Sequence, residues 1–175
     1  VDVVDLKSDV NAGDTENERE RIFQETVEKT IASRSPLIGL SAFTEDYCDV
    51  MKLAEEIKRR SSAKVIVGGI HATISPEDFL VREDSPFDAA VVGDGELPLA
   101  KLIEAEKRGT FSWEAINGLV FRKDRNVIRT APQSAGPALD DMPIHPYHKL
   151  DMKFYLQPQQ FLLRSIYLSG IHIFT

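Results

Sequence analysis

The sequence predicts an α/β domain in which a parallel sheet is covered by helices on both faces. Three observations predict it. Short apolar runs alternate with longer amphipathic runs in the order β-α-β-α-β-α-β-α as far as Gly109. The run Val65, Ile66, Val67 is apolar and β-branched throughout, which suits a parallel strand buried on both faces. Three loops that follow successive strands are rich in glycine or hydroxyls: Ser41-Ala42-Phe43-Thr44, Gly68-Gly69-Ile70-His71-Ala72-Thr73 and Gly93-Asp94-Gly95-Glu96. Parallel strands present their carboxyl ends together, so all three loops fall on the edge where α/β sheets bind ligands.

The elements follow in order. Residues 1–6 read as a short strand, with Val1, Val3, Val4 and Leu6 apolar, and residues 7–15 as a polar loop. Residues 17–33 read as a helix, because Ile22, Phe23, Val27, Thr30 and Ile31 recur at helical spacing. A strand covers residues 37–43. A second helix covers residues 45–60, with Val50, Leu53, Ala54 and Ile57 inward and Lys58, Arg59 and Arg60 favourably placed at its negative end. The central strand follows, then Gly68 and Gly69, then a loop. The segment SPED starts a short helix with Ser75 as N-cap and Pro76 in the first turn. Residues 88–92 form another strand, and residues 97–108 a helix with Leu99, Leu102, Ile103 and Ala105 inward, stopped by Gly109. Beyond it, Leu119 to Phe121 and Val127 to Ile128 flank a turn-like stretch and predict an antiparallel hairpin. Four prolines (Pro132, Pro137, Pro143 and Pro146) make residues 131–149 an extended linker. A helical turn near Met152 and one or two strands over residues 161–175 complete the reading. We take residues 1–130 as the α/β domain and residues 131–175 as linker and the start of what lies downstream.

Composition narrows the function. The chain has 175 residues and a formal net charge of −7, a poor starting point for binding nucleic acid through its phosphates. No apolar run reaches the length of a membrane span, and a cytoplasmic setting fits. The single cysteine, Cys48, rules out an internal disulfide and a cysteine-rich metal or iron–sulfur site within this chain. Cys48 lies at a helix start, where a thiol pKa can fall, and reads otherwise as a small buried residue. There is no initiator methionine, and IYLSGIHIFT ends inside an alternating apolar run. The expectation is a segment of something longer.

The ordered set VGGIHAT, SPEDFL, VVGDGELPLAKLIEA, INGLVFR and LDDMPIHPYHKLD resembles the cobalamin-binding domain of cobalamin-dependent radical S-adenosylmethionine enzymes, a group that includes the anaerobic magnesium-protoporphyrin monomethyl ester cyclases. The resemblance covers the whole chain. It implies a flavodoxin-like, Rossmann-like three-layer sandwich with strand order 2-1-3-4-5, followed by a hairpin and an extended linker. It implies a base-off cobalamin whose nucleotide tail lies between the sheet edge and a helix. Ser41 and Thr44 match the hydroxyl-bearing loop, Gly68 and Gly69 the glycines that admit the tail, and Gly93, Gly95 and Glu96 the loop beside ring or tail. A long tail needs a channel free of side chains, which glycines supply.

The departures carry expectations too. In this resemblance the strand at Val1 is the second of the fold. The first strand and its helix are missing, and with them the D-x-H-x-x-G motif in which many cobalamin carriers place a cobalt-ligating histidine. The iron–sulfur motif C-x-x-x-C-x-x-C would follow residue 175. The cluster and S-adenosylmethionine would therefore belong to the full-length protein, in a downstream radical domain that performs methyl transfer, cyclisation or rearrangement. The present chain would not be catalytic by itself. A swapped strand from a second copy, giving a homodimer, or the tail over residues 166–174 would fill the open place beside Val3 and Leu40, since a bare apolar edge invites aggregation.

Several residues admit a plainer reading. His71 is placed to touch the cofactor, by cobalt ligation or by a hydrogen bond, or serves only its loop. His145 and His148 read as surface or packing residues and His172 as a core histidine. Asp88, Asp94 and Glu96 read as an acidic metal site or, for Glu96, as a first-turn residue that favours the helix dipole. The competing function is a flavodoxin-like binding or signalling domain without corrinoid, such as a receiver, or an inert remnant used for domain contacts. A receiver needs clustered aspartates at its strand ends, where this chain has Ser41 and Thr44.

Overall fold

Three parallel strands make up one side of a five-stranded sheet. They are β1 (Leu37–Ser41), β2 (Lys64–Gly68) and β3 (Ala89–Val91). β1 pairs with β2 along its whole length, from Leu37 opposite Lys64 to Ser41 opposite Gly68, and β2 pairs with β3 through Ile66 and Val67. The hairpin β4 (Leu119–Lys123) and β5 (Asn126–Arg129) continues the sheet antiparallel on the far side of β3, giving the order β1-β2-β3-β4-β5. Asp124 turns the hairpin at φ +55°, a conformation that Asp tolerates better than most residues.

This computed structural model describes residues 2–4, 14–133, 140, 146–155, 159–161 and 166–168. The chain divides into two units, Thr30–Asp141 and Val1–Lys29 with Met142–Thr175. The sheet belongs to the first. α1 (Glu16–Ala32) opens with a capping box, in which the Glu18 backbone N–H donates to the Thr15 hydroxyl and the Thr15 backbone N–H to the Glu18 carboxylate. In the second unit, α6 (Met152–Tyr155) matches the expected turn, and β6 (Gln159–Phe161) pairs antiparallel with β7 (Ile166–Leu168).

Both faces of the sheet are covered, because side chains alternate along each strand. One face carries Ile38, Val65, Val67, Ala90 and Val120 against Val50, Met51, Ala54 and Ile57 of α2 (Tyr47–Arg60), Ala72 of α3 (Ile70–Ile74), and Phe79 and Leu80 of α4 (Glu77–Leu80). The other carries Ile66, Ala89, Val91, Leu119 and Phe121 against Leu102 of α5 (Glu96–Arg108) and Ile116. Each of the larger side chains (valine, leucine, isoleucine, methionine and phenylalanine) contributes on the order of 2 kcal/mol on burial. The α/β three-layer expectation is borne out. At the amino end of the sheet, the Asp88 carboxylate accepts from Lys58 at 2.9 Å and from the Val65 backbone N–H at 2.7 Å, tying α2 to two strands.

Five details correct the sequence reading. Residues 2–4 carry no strand, and Val3 and Val4 are exposed, because an apolar run becomes a strand only with a ladder partner. The stretch after Gly69 is a helix rather than a loop: the Thr73 and Ser75 backbone N–H groups donate to Gly69 and His71 carbonyls. Ser75 ends that helix instead of capping the next, where Pro76 takes the cap position. Cys48 is exposed, since it falls away from the α2 face that carries Val50, Ala54 and Ile57. The described part of the tail, Ile166–Leu168, pairs with Gln159–Phe161 and not with β1. His145, His172 and most of residues 1–13 and 134–145 lie outside the described residues.

Candidate functional site

At the carboxyl ends of the parallel strands is a groove of about 250 Å³, lined by Gly39, Leu40, Ser41, Ile66, Gly68, Gly69, Val91, Gly93, Gly95 and Leu99. Five of these ten residues are glycines, so the walls are largely backbone. The groove runs along the face of the sheet that α5 covers further on. Leu99, from the first turns of α5, forms its far side and is for that reason only half-buried.

The glycines divide into those needed for backbone shape and those that leave space. Gly69 takes φ +90°, and a Cβ there would come within 2.8 Å of the Ala42 carbonyl oxygen and 2.9 Å of the Ser41 hydroxyl oxygen. The site closes tightly here: Ala42 N–H donates to the Gly68 carbonyl and His71 N–H to the Ala42 carbonyl. Gly68 is the opposite case. A Cβ there meets only the Val91 Cβ, at 3.9 Å, so the space beyond it is the groove. Gly39, in mid-strand, has nothing within 4 Å of an added Cβ. Gly93, at φ +85°, turns the chain out of β3.

One hydroxyl joins the two glycine loops. Thr73 Oγ1 donates to the Gly69 carbonyl at 3.0 Å and accepts from the Gly93 N–H at 3.1 Å. A second staple comes from Gln133, whose Nε2 donates to the Val92 carbonyl at 3.0 Å and the Asp94 carbonyl at 2.6 Å.

Of the residues singled out in the sequence, Ser41, Gly68, Gly69, Gly93 and Gly95 come together on the groove. Thr44 and Glu96 are exposed beside it and do not line it. His71 is buried on the other side of α3. Its ring packs against Tyr47 and Phe79, its Nε2 lies 3.1 Å from Asp78, and its Nδ1 has no protein partner. Asp88 sits at the amino end of β3, held by Lys58, with the strand between it and Asp94. No cluster of three His, Cys, Asp or Glu able to hold a metal occurs among the described residues.

From the sequence, Thr73 is named only within its loop and Leu99 only as a core residue, and Gly39 and Gln133 are given no role. For Gly39 the signal was available, since a glycine inside an apolar strand often marks close backbone approach. For Gln133 there was none, as its partners lie about forty residues away in sequence.

A larger cavity, about 670 Å³, opens at the opposite edge of the sheet between Pro36, Arg60, Ser62 and Lys64. It lies at the amino ends of the strands, where the negative end of α2 also points, and α/β sheets place ligands at the carboxyl ends. The smaller groove is the better candidate. Its walls are apolar, through Ile66, Val91 and Leu99, with one hydroxyl from Ser41 and no carboxylate; the Leu40 side chain packs on the opposite face of the sheet. That composition offers no phospho-accepting aspartate, as a receiver would need, and suits a flat, uncharged ring system with a polar edge. At 250 Å³ it is smaller than pockets that enclose whole drug-sized ligands, roughly 300–1,000 Å³.

The model of the B12 binding domain matches residues 1–103. The chain belongs to the B12-binding domain family. Two curated relatives share 31% identity with it: an uncharacterized methyltransferase of Pyrococcus horikoshii over 120 residues, and the anaerobic magnesium-protoporphyrin IX monomethyl ester cyclase of Synechocystis over 122 residues. Each alignment covers 68% of this chain, but only 26% and 23% of the relative. Among solved structures, the radical S-adenosylmethionine methyltransferase TsrM of Kitasatospora setae, with cobalamin and a [4Fe-4S] cluster bound, matches with TM-score 0.55 at 24% identity. That match covers 65% of this chain and 23% of TsrM, and it shows a common fold. The chain thus spans about a quarter of the length of these relatives. The resemblance read from VGGIHAT and GDGE is borne out. No helix among the described residues is long and apolar enough to cross a membrane.

Proposed function

We propose that this chain is the corrinoid-binding module of a cobalamin-dependent radical S-adenosylmethionine enzyme, and that its glycine groove takes the nucleotide tail of a base-off cobalamin. The observation that carries the reading is the groove itself: at Gly39 and Gly68 a Cβ has room, yet the sequence leaves that room empty at the carboxyl ends of the parallel strands. Bound there, the corrinoid would supply cobalt-centred methyl-transfer or electron-transfer chemistry. The chain's own residues hold and orient it. Gly68 and Gly39 leave the channel open, Ile66, Val91 and Leu99 contact the tail's flat base, and Ser41 donates to its polar edge. Thr44, Glu96 and the backbone at Gly93 and Gly95 sit at the mouth.

The full-length protein would hold the iron–sulfur cluster and S-adenosylmethionine in a downstream domain, with residues 131–175 leading into it, and would work in the cytoplasm on methyl transfer, cyclisation or rearrangement. A strand from a second copy would complete the outer edge of β1, where no strand pairs among the described residues; light scattering of the purified chain reports that dimer directly.

Titration with hydroxocobalamin tests the assignment. The chain should change the visible spectrum of the corrinoid and melt higher in its presence, by mass action. Gly68→Phe should fold, because the first atom of its side chain meets only Val91, and should lose binding at least a hundredfold by filling the groove. Equal binding by wild type and Gly68→Phe would place the cofactor elsewhere.

A further inference from the structure

We infer that Gln133, the third residue of the proline-rich linker, is a positioning residue of the groove, so that filling the groove and seating the start of the linker are one coupled event. The inference rests on the corrinoid reading of the groove.

The loop at the exit of β3 has little order of its own. Gly93 and Gly95 bracket Asp94, and glycine loses more freedom on ordering than any other residue. Its polar backbone is fixed from outside. Val92 N–H donates to the Gly118 carbonyl, Gly93 N–H to the Thr73 hydroxyl, and the carbonyls of Val92 and Asp94 both accept from the Gln133 amide. Gln133 therefore holds the carbonyls on either side of Gly93, a groove-lining residue.

The chain is built to bring Gln133 there. Gly118 N–H donates to the Ala131 carbonyl, and the Leu119 N–H donates to the Thr130 hydroxyl, which sets the path of residues 130–133 along the start of β4. Gly118 sits at φ +81°, and a Cβ on it would lie 2.5 Å from Gln133 Cγ. The glycine leaves the place that the glutamine side chain occupies.

Without the clamp the loop samples conformations in which the groove is misshapen, and apparent affinity falls by the fraction of time the competent shape is lost. Losing two neutral hydrogen bonds corresponds to roughly a tenfold weaker Kd. Coupling is reciprocal, so a bound cofactor must in turn steady residues 131–133.

The test uses Gln133→Ala and Gln133→Glu in the whole chain. The second keeps the shape but has no donor. The measurements are Kd for hydroxocobalamin, melting temperature, and amide exchange with and without the corrinoid. Both variants should bind about tenfold more weakly, exchange faster across residues 93–96 without ligand, and melt within a few degrees of wild type. In wild type, hydroxocobalamin should slow exchange at residues 131 and 133. A wild-type Kd in Gln133→Glu, or unchanged exchange at residues 93–96, overturns the inference. Failure of wild type to bind overturns the corrinoid reading instead, and the exchange comparison between unliganded chains still decides the clamp.

Discussion

At Gly69 the backbone takes φ +90° and ψ −174°, a region open to glycine and almost nothing else. Adding one methyl group brings strain and a 2.8 Å approach to the Ala42 carbonyl oxygen. Gly69→Ala should cost about 3 kcal/mol, read as a lower urea midpoint with an unchanged slope. A cost under about 0.5 kcal/mol would mean the loop relaxes freely and does not define the groove. Gly68, one residue earlier, has no such constraint; a side chain there would occupy the groove without straining the backbone. The sequence shows both as the same letter, and only the fold separates the glycine needed for shape from the glycine needed for space. Gly39 completes that second class. It was legible as a glycine within LIGLS, but its partner wall, Leu99, comes from a helix about sixty residues on.

Elements were more legible than contacts. The alternation of periods places β1, α2, β2, β3 and α5 within a few residues, because each rests on a local pattern. What the patterns miss is pairing. Residues 1–6 have a strand's composition, and residues 2–4 have no ladder. The five residues of α3 carry a helix too short for periodicity to reveal, held in part by the Thr73 hydroxyl on the Gly69 carbonyl. Between elements, the Asp88 carboxylate bridges α2 and β2 by charge-assisted hydrogen bonds to Lys58 and the Val65 N–H. Asp88→Asn should cost about 1–2 kcal/mol, discounted because both side chains are about a third exposed to solvent. The groove lies at the other end of the sheet, so hydroxocobalamin affinity should stay within twofold. A large loss of affinity would mean the two edges of the sheet are coupled.

For the whole molecule, the parallel core puts the Gly68–Gly69 and Gly93–Gly95 loops on one edge. Family membership points to a corrinoid, and the proposal puts its tail in the glycine-lined groove. The sequence alone already pointed to that edge, through VGGIHAT and GDGE. It did not reveal that the linker reaches back through Gln133 to hold it, because a side chain that meets a loop forty residues earlier leaves no periodic trace. The most direct measurement is a crystal structure of the chain grown with hydroxocobalamin. The account predicts the nucleotide tail between the ends of β1–β3 and Leu99, against Gly39 and Gly68, with the base off the cobalt. A tail lying elsewhere, or a base still bound to cobalt with the groove filled by protein side chains, would contradict it.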